Sequence, residues 1–357
     1  MSAAVRTRLA VVAAAVCGMA GVSAVPALAQ GGPSAAPSSG AAVVDAPLET
    51  LCTPTDPGLA ELSGLASDGD RMFAIGDSGT DRTLWVLGPD CAVTGALPVP
   101  ATPTDVEDLA LVDGRLWLSD TGDNARVRSS VALTVLDPGT GSGSTHLLGY
   151  PDGAHDAEAF LVGRDGRPVI VTKEVLAPSG IYTTDLPLDE LPAGPTPLRR
   201  VGQLTVAPTD TPGGPLPVAS SVLVTGGAVS GDGRVVAVRT YTDLYLYPAA
   251  DGDVVAALTG ATPVRVPMPH QPQGEAIAFT PDGDLVSGSE AADGPMPPIQ
   301  VLRGAAALVP LPDPTPVDEP LAGRTGSAAV AAALVGVGAV VIAAAGAAVV
   351  RFRSRRR

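Results

Sequence analysis

The sequence predicts an all-β chain: a β-propeller of five or six blades, followed by one C-terminal transmembrane helix. Three observations predict it. A unit of two short apolar strands around an Asp-Gly turn recurs five times. Glycine (42) and proline (36) are abundant while aromatic residues make up 3%, a composition of many turns and few long helices. Near the C-terminus, residues 327–350 run without a single charge. A β-sandwich or a helical solenoid would share parts of this pattern, but neither calls for five aligned Asp-Gly turns.

In chain order, residues 1–29 read as a secretory signal. Arg6 and Arg8 precede an apolar core, and Ala27-Leu28-Ala29 forms a cleavage site. Ala15-Val16-Cys17-Gly18 loosely resembles a lipidation site, but the apolar run before it is short. Residues 30–48 are a Gly/Ser/Ala/Pro spacer expected to be flexible. The propeller ectodomain follows at 49–311, then a Pro-rich stalk at 312–326. At about 1.5 Å per helical residue, the segment 327–350 is long enough to cross a bilayer. The tail 351–357 carries five arginines, which the positive-inside rule places in the cytoplasm. The expected location is therefore the cell membrane, single-pass, with the ectodomain extracellular and the C-terminus cytoplasmic.

All 37 acidic residues lie between the two hydrophobic ends, against 15 of the 22 basic ones, so the ectodomain carries a net charge of −22. That argues against nucleic acid or an anionic surface as a partner and is compatible with a divalent cation or a small anionic ligand. An acidic surface kept for solubility accounts for the same charge. Cys17 leaves with the signal, and Cys52 and Cys91 remain as an even pair in an oxidising compartment, where a disulfide is expected.

The five hairpins begin at Ser63, Glu107, Ala157, Gly226 and Gly274, each with its Asp-Gly turn at Asp68, Asp113, Asp165, Asp232 and Asp282. Steps of 44, 50, 69 and 48 residues match the propeller period, and the segment before Ser63 is expected to close the ring on the last blade. Leu84–Leu87, Ala132–Leu136 and Leu244–Tyr247 read as outer strands. The turn aspartates themselves are scaffold.

Aligning the copies places Gly64, Asp108, Glu158, Gly227 and Glu275 at the start of the inner strands, and Asp77, Asp120, Lys173, Arg239 and Glu290 at the ends of the second strands. In an antiparallel hairpin these ends adjoin, so the charges should gather on one face near the channel. Blade two is richest there, with Glu107, Asp108, Asp120, Asp123 and Asn124. Strand-end acids are also common as solvated decoration, so the pattern allows either a site or a scaffold. Lys173 is the single lysine of the chain, which suggests a need for a compact ammonium against a phosphate or carboxylate. Arg239 and Arg126 are further candidates for an anionic substrate. Asp77, Asp108, Asp120, Asp123, Glu158, Glu275 and Glu290 offer the oxygen ligands that calcium prefers. His155, near Glu158, is a candidate general base, with a turn histidine as the alternative. Gly76-Asp77-Ser78-Gly79 lacks the context of a protease nucleophile, and no nucleophile elbow, Walker loop or zinc helix occurs.

Glu61-Leu62-Ser63-Gly64-Leu65-Ala66 with Asp77-Ser78-Gly79, Glu107-Asp108-Leu109-Ala110 with Asp120-Thr121-Gly122-Asp123-Asn124, Asp156-Ala157-Glu158-Ala159 and Gln273-Gly274-Glu275-Ala276-Ile277 together resemble secreted actinobacterial propellers related to the phytase-like group. The resemblance covers about residues 51–311. It implies calcium held by a ring of channel-face carboxylates and phosphate bound by Lys or Arg, with Asp108, Glu158, Glu275 and Lys173 in the matching positions. Two functions are thus expected to compete: a calcium-assisted phosphoesterase or related hydrolase, with Glu158, His155 and Lys173 catalytic, and a non-catalytic surface propeller that binds a ligand or protein at the same face.

Overall fold

The computed structural model describes residues 40–77 and 82–311. They form five antiparallel sheets, each a propeller blade, so the count is five rather than six. Blade 1 comprises Leu62–Ser67, Met72–Gly76, Thr83–Leu87 and Val93–Pro98. Blade 2 comprises Asp108–Val112, Arg115–Asp120, Val131–Leu136 and Gly143–Gly149. Blade 3 comprises Ala157–Val162, Pro168–Thr172, Ser179–Thr183 and Arg199–Leu204. Blade 4 comprises Val224–Val229, Val235–Thr240, Asp243–Pro248 and Val264–Pro267. Blade 5 holds Gln273–Phe279, Leu285–Glu290 and Ile299–Leu302, and takes its outermost strand, Leu48–Cys52, from the start of the domain.

That borrowed strand closes the ring as expected. A disulfide between Cys52, on the borrowed strand, and Cys91, in an outer turn of blade 1, then fastens the closure to the next blade. Ala42–Val43 adds a short parallel edge to blade 4, although the sequence places it in the flexible spacer. The long step from blade 3 to blade 4 contains no further blade. It is spent on Thr196–Pro197, lent as a parallel edge to blade 2, and on a connection through Ala219–Ser221.

The Asp-Gly turns sit where the pattern puts them. Asp113 and Gly114 both have positive φ, 48° and 73°, and make the two-residue turn that pairs Val112 with Arg115. Between blades, alternate residues of the strands interlock. Phe73 and Ile75 meet Leu116 and Leu118 between blades 1 and 2, and Trp117 and Leu133 meet Phe160 and Tyr182 between blades 2 and 3. Val171 and Val238 lie between blades 3 and 4, Leu246 and Ile277 between blades 4 and 5, and Val286 and Met72 between blades 5 and 1. Each such side chain, fully buried, contributes about 1.5–3 kcal/mol. The helix Val254–Gly260, capped by Asp253, packs its Val254, Ala257 and Leu258 into the layer between blades 3 and 4.

Among the described residues no helix is long and apolar enough to cross a membrane. The expected signal at 1–29, stalk at 312–326, span at 327–350 and basic tail at 351–357 lie outside the described residues.

Candidate functional site

Every inner strand starts at one end of the disc and runs toward its Asp-Gly turn. Ladder pairing sets Leu65, Leu109, Phe160, Gly227 and Ile277 opposite Ala74, Leu118, Ile170, Val238 and Ser287. Two residues before these inner positions stand Ser63, Glu107, Glu158, Thr225 and Glu275, at or beside a β-bulge in each of blades 1, 3, 4 and 5. Four residues before them stand Glu61, Asp105, Asp156, Leu223 and Gln273. On the second strands the matching positions are Asp77, Thr121, Lys173, Tyr241 and Glu290.

Hydrogen bonds repeat in the same register. The Asp77 amide donates to the Glu61 carbonyl at 3.1 Å, and the Lys173 amide to the Asp156 carbonyl at 2.8 Å. Ser63 Oγ donates to the Val106 carbonyl at 2.7 Å, and Thr225 Oγ1 to the Gly274 carbonyl at 2.8 Å. The two hydroxyl-bearing blades thus each anchor the backbone just before the next blade's glutamate.

Three glutamates therefore project from equivalent positions, and all are buried: Glu107, Glu158 and Glu275. Carboxylate oxygens of Glu107, Asp156 and Glu158 lie within 4.8 Å of one another. Glu158 Oε1 pairs with the Lys173 ammonium, which also donates to the Tyr241 hydroxyl at 2.7 Å. Glu275 shares a hydrogen bond with Glu290, and Glu290 Oε2 accepts from the Gln273 amide group. Glu158 Oε2 and Glu275 Oε2 are buried without a hydrogen-bond partner. A Cβ at Gly122 would strike Glu107 Oε1 and come within 2.6 Å of the Asp105 carboxyl, so the absence of a side chain here lets both acids pack against the backbone.

Crowding of acids away from water shapes their protonation. Burial pushes Glu107 well above the usual carboxylate range, and Glu158 and Glu275 add to it. Glu275 moves the same way through burial and the charges of Glu158 and Glu290. Burial raises Glu158 to about 8 although Lys173 pulls it down. Asp77 is pushed to about 7 by burial and by Glu290, and Asp105 to about 6 by burial and by Asp156. Burial works against the charge of Lys173, but Glu158 and Tyr241 outweigh it and hold the ammonium firmly protonated.

Several residues singled out by sequence lie outside this cluster. Asp108 is one position off the glutamate register, and Glu107 takes the place assigned to it. Its carboxylate is consumed by backbone amides of Leu109, Phe160 and Gly227 at 2.8, 2.8 and 3.0 Å. Burial pushes Asp108 up, with the three amides pulling the other way. Asp120 accepts from the Thr104 and Asp105 amides and pairs with Arg128. Asp123 folds its own loop by accepting from the Val127 and Arg128 amides. Both carboxylate oxygens of each of the three already accept hydrogen bonds within the chain. Arg239 is fully buried, and its donors reach Thr240, Tyr241, Gly288, Ser287 and Gln271, so it bolts blade 4 to blade 5. His155 is engaged by Asp152 and Tyr182 at 3.1 and 3.0 Å, with Glu174 3.6 Å away, in a cluster with Tyr150, which also feels the charge of Asp156. Arg126 is half-exposed and paired with Glu174 at 2.6 Å. Brought together are Glu158, Glu275, Glu290, Asp77 and Lys173; added to them are Glu107, Asp105, Asp156 and Tyr241.

A cavity of about 380 Å³ fills the other half of the channel, beyond Leu109, Phe160 and Gly227. Its walls include Ala66, Ala110, Val112, Ala228 and Ala278, and it lacks the convergent acids of the opposite mouth.

No family model matches the chain, and no curated protein does. Among solved structures it is similar to a virginiamycin B lyase from Staphylococcus aureus, at 14% identity over 69% of this chain and 68% of that one, with a TM-score of 0.35. It is also similar to a gluconolactonase from Xanthomonas campestris, at 18% identity over 74% of this chain and 78% of that one, TM-score 0.40. A tricorn protease matches at 14% identity over 71% of this chain and 20% of its own length, TM-score 0.32. At such scores nothing about the chemistry of this chain is read from them, and the likeness to phytase-like propellers remains one of motifs.

Proposed function

We propose that the glutamate-lined mouth holds a divalent cation, calcium by the hardness of its ligands, and hydrolyses small anionic esters, phosphoesters foremost. The observation that carries this is the pair of orphaned buried oxygens, Glu158 Oε2 and Glu275 Oε2, beside three acids whose oxygens converge within 4.8 Å. Buried unpaired carboxylate oxygens are costly unless something positive meets them. The donor set is all oxygen, as calcium requires.

Glu107, Asp156 and Glu158 would hold the ion. Bound there, a divalent cation supplies charge stabilisation for a phosphoryl or carbonyl oxygen and a more acidic water. The Lys173 ammonium has three donors and spends two on Glu158 and Tyr241, which leaves one for an anionic group of the substrate. Glu275 and Glu290 share a hydrogen bond, so this pair can hold a proton at the edge of the site. With the signal and anchor expected from sequence, the chain would present this mouth at the cell surface.

A second reading is a non-catalytic propeller that binds a small anion or a protein at the same mouth. One observation favours it: Asp156 Oδ1 is already taken by the Asp123 amide and Glu158 Oε1 by Lys173, which narrows the free ligand set. Calcium titration of the full chain in detergent, followed by phosphatase and esterase assays with and without chelator, separates the two. A calcium-dependent rise in melting temperature with chelator-sensitive turnover supports the hydrolase, and the rise without turnover supports the binder. An unchanged melting temperature and no turnover overturns the metal-dependent reading.

A further inference from the structure

Lys173 is the single lysine in a chain with 22 basic residues, and its blade position carries Asp77, Thr121, Tyr241 and Glu290 in the other blades. Nothing in the backbone at this position therefore demands a cation. Its ammonium sits on Glu158 Oε1, one of the three acids that converge. The same charge also acts on Glu107, Asp105, Glu275 and Glu290. On its far side the ammonium bonds the Tyr241 hydroxyl and lies 4.9 Å from the centroid of that ring.

We propose that Lys173 is a built-in countercharge that competes with the divalent cation for Glu158 and so sets the cation affinity of the mouth. The inference rests on the cation-binding reading above. An ion held by Glu158 lies within a few ångströms of the ammonium or displaces it, and either arrangement weakens binding by repulsion. Lysine suits exchange better than arginine, because a compact head on a flexible stem can withdraw while a planar fork that spans two partners cannot. Tyr241 gives the withdrawn ammonium somewhere to stay, through its hydroxyl and its ring face. The lysine keeps its charge throughout, so the competition is one of position alone.

The test is isothermal titration of Ca²⁺ into the full chain in detergent, for wild type, Lys173→Met, Lys173→Gln, Lys173→Arg and Glu158→Gln. Removing a unit charge at roughly 6 Å from a divalent ion should tighten binding about tenfold or more in Lys173→Met and Lys173→Gln. Lys173→Arg should bind no tighter than wild type, and Glu158→Gln should bind far more weakly. Lys173→Gln keeps polar contact with Glu158 and Tyr241, and carries the test if the methionine variant unfolds. Wild-type binding with unchanged or weaker affinity in folded Lys173→Gln overturns the competition while leaving the cation site standing. No Ca²⁺ binding by any of the five proteins overturns the cation reading and the competition with it. Binding by Lys173→Gln alone supports both.

Discussion

Asp108 of blade 2 accepts the backbone amide of Gly227 of blade 4 at 3.0 Å, across 119 positions of sequence. The same oxygen takes the Phe160 amide of blade 3. Inner strands have no sheet neighbour on the channel side, so amides there need another acceptor, and one carboxylate serves three blades. Replacing it by alanine leaves the Phe160 and Gly227 amides buried without a partner. Asp108→Ala should destabilise the fold by roughly 2–6 kcal/mol, about 1–3 for each orphaned donor. Equilibrium denaturation in urea measures this, and a loss under 1 kcal/mol would show that these two amides have other acceptors.

Arg239 joins blades 4 and 5 in a comparable way. Burial pulls its guanidinium down to about 9, against the charges of Glu275 and Asp243, so it stays cationic at neutral pH. Gly274 has no side chain because the guanidinium occupies that space. Lysine carries the charge but lacks the planar fork, so Arg239→Lys leaves acceptors such as Gln271 Oε1 and Ser287 Oγ unmatched. The expected loss is roughly 2–5 kcal/mol in urea denaturation. A variant as stable as wild type would contradict the assignment.

What sequence could reveal here followed from local chemistry. The five Asp-Gly turns, the outer strands and the borrowed closing strand all leave marks in a few consecutive residues, so the propeller was legible. The glutamate register was not, because turn lengths differ. Blade 2 pairs Val112 with Arg115 across two residues, whereas blade 3 pairs Val162 with Pro168 across five. Aligning the copies by their first residues, Glu107 with Ala157 and Gly274, slid Asp108 into the place of Glu107. A better marker was available in Glu107-x-Leu109, Glu158-x-Phe160 and Glu275-x-Ile277, where an acid stands two before an inward apolar residue. Asp105-x-Glu107 and Asp156-x-Glu158 likewise repeat on adjacent blades and point to the two aspartates that were missed. Tyr241 left no such mark, and neither did the burial that makes Arg239 a bolt.

The disulfide should matter most for ring closure. Cys52 and Cys91 are 39 residues apart and tie the borrowed strand of blade 5 to blade 1. On the chain-entropy estimate, a loop of this length stabilises by about 4 kcal/mol. The double variant Cys52→Ser/Cys91→Ser should lose about that much, and wild type in reducing agent should melt close to the variant. Equal melting temperatures for oxidised wild type and the double variant would refute a closing role.

The acids at the mouth set the direction of the pH dependence. Asp77, Asp105 and Glu158 have folded-state pKa values of about 7, 6 and 8, all above their ordinary values. A carboxyl of this kind binds its proton more tightly folded than unfolded. Well below the ordinary values of 3.8 and 4.5 both states are protonated and nothing is lost; as pH rises through the folded values, ionisation costs the folded state more than the unfolded one. Metal-free protein should therefore lose melting temperature steadily from about pH 5 to pH 8, opposite to a protein whose acids sit in ion pairs. Saturating Ca²⁺ meets the charges as they form, and by mass action its stabilisation grows over the same interval. Calorimetry at pH 5, 6, 7 and 8, with chelator and with Ca²⁺, reads both slopes. A chelated profile that is flat or rises toward pH 8 would mean that the charges of Asp77, Asp105 and Glu158 are already neutralised within the chain, and that no cation is needed to complete the mouth.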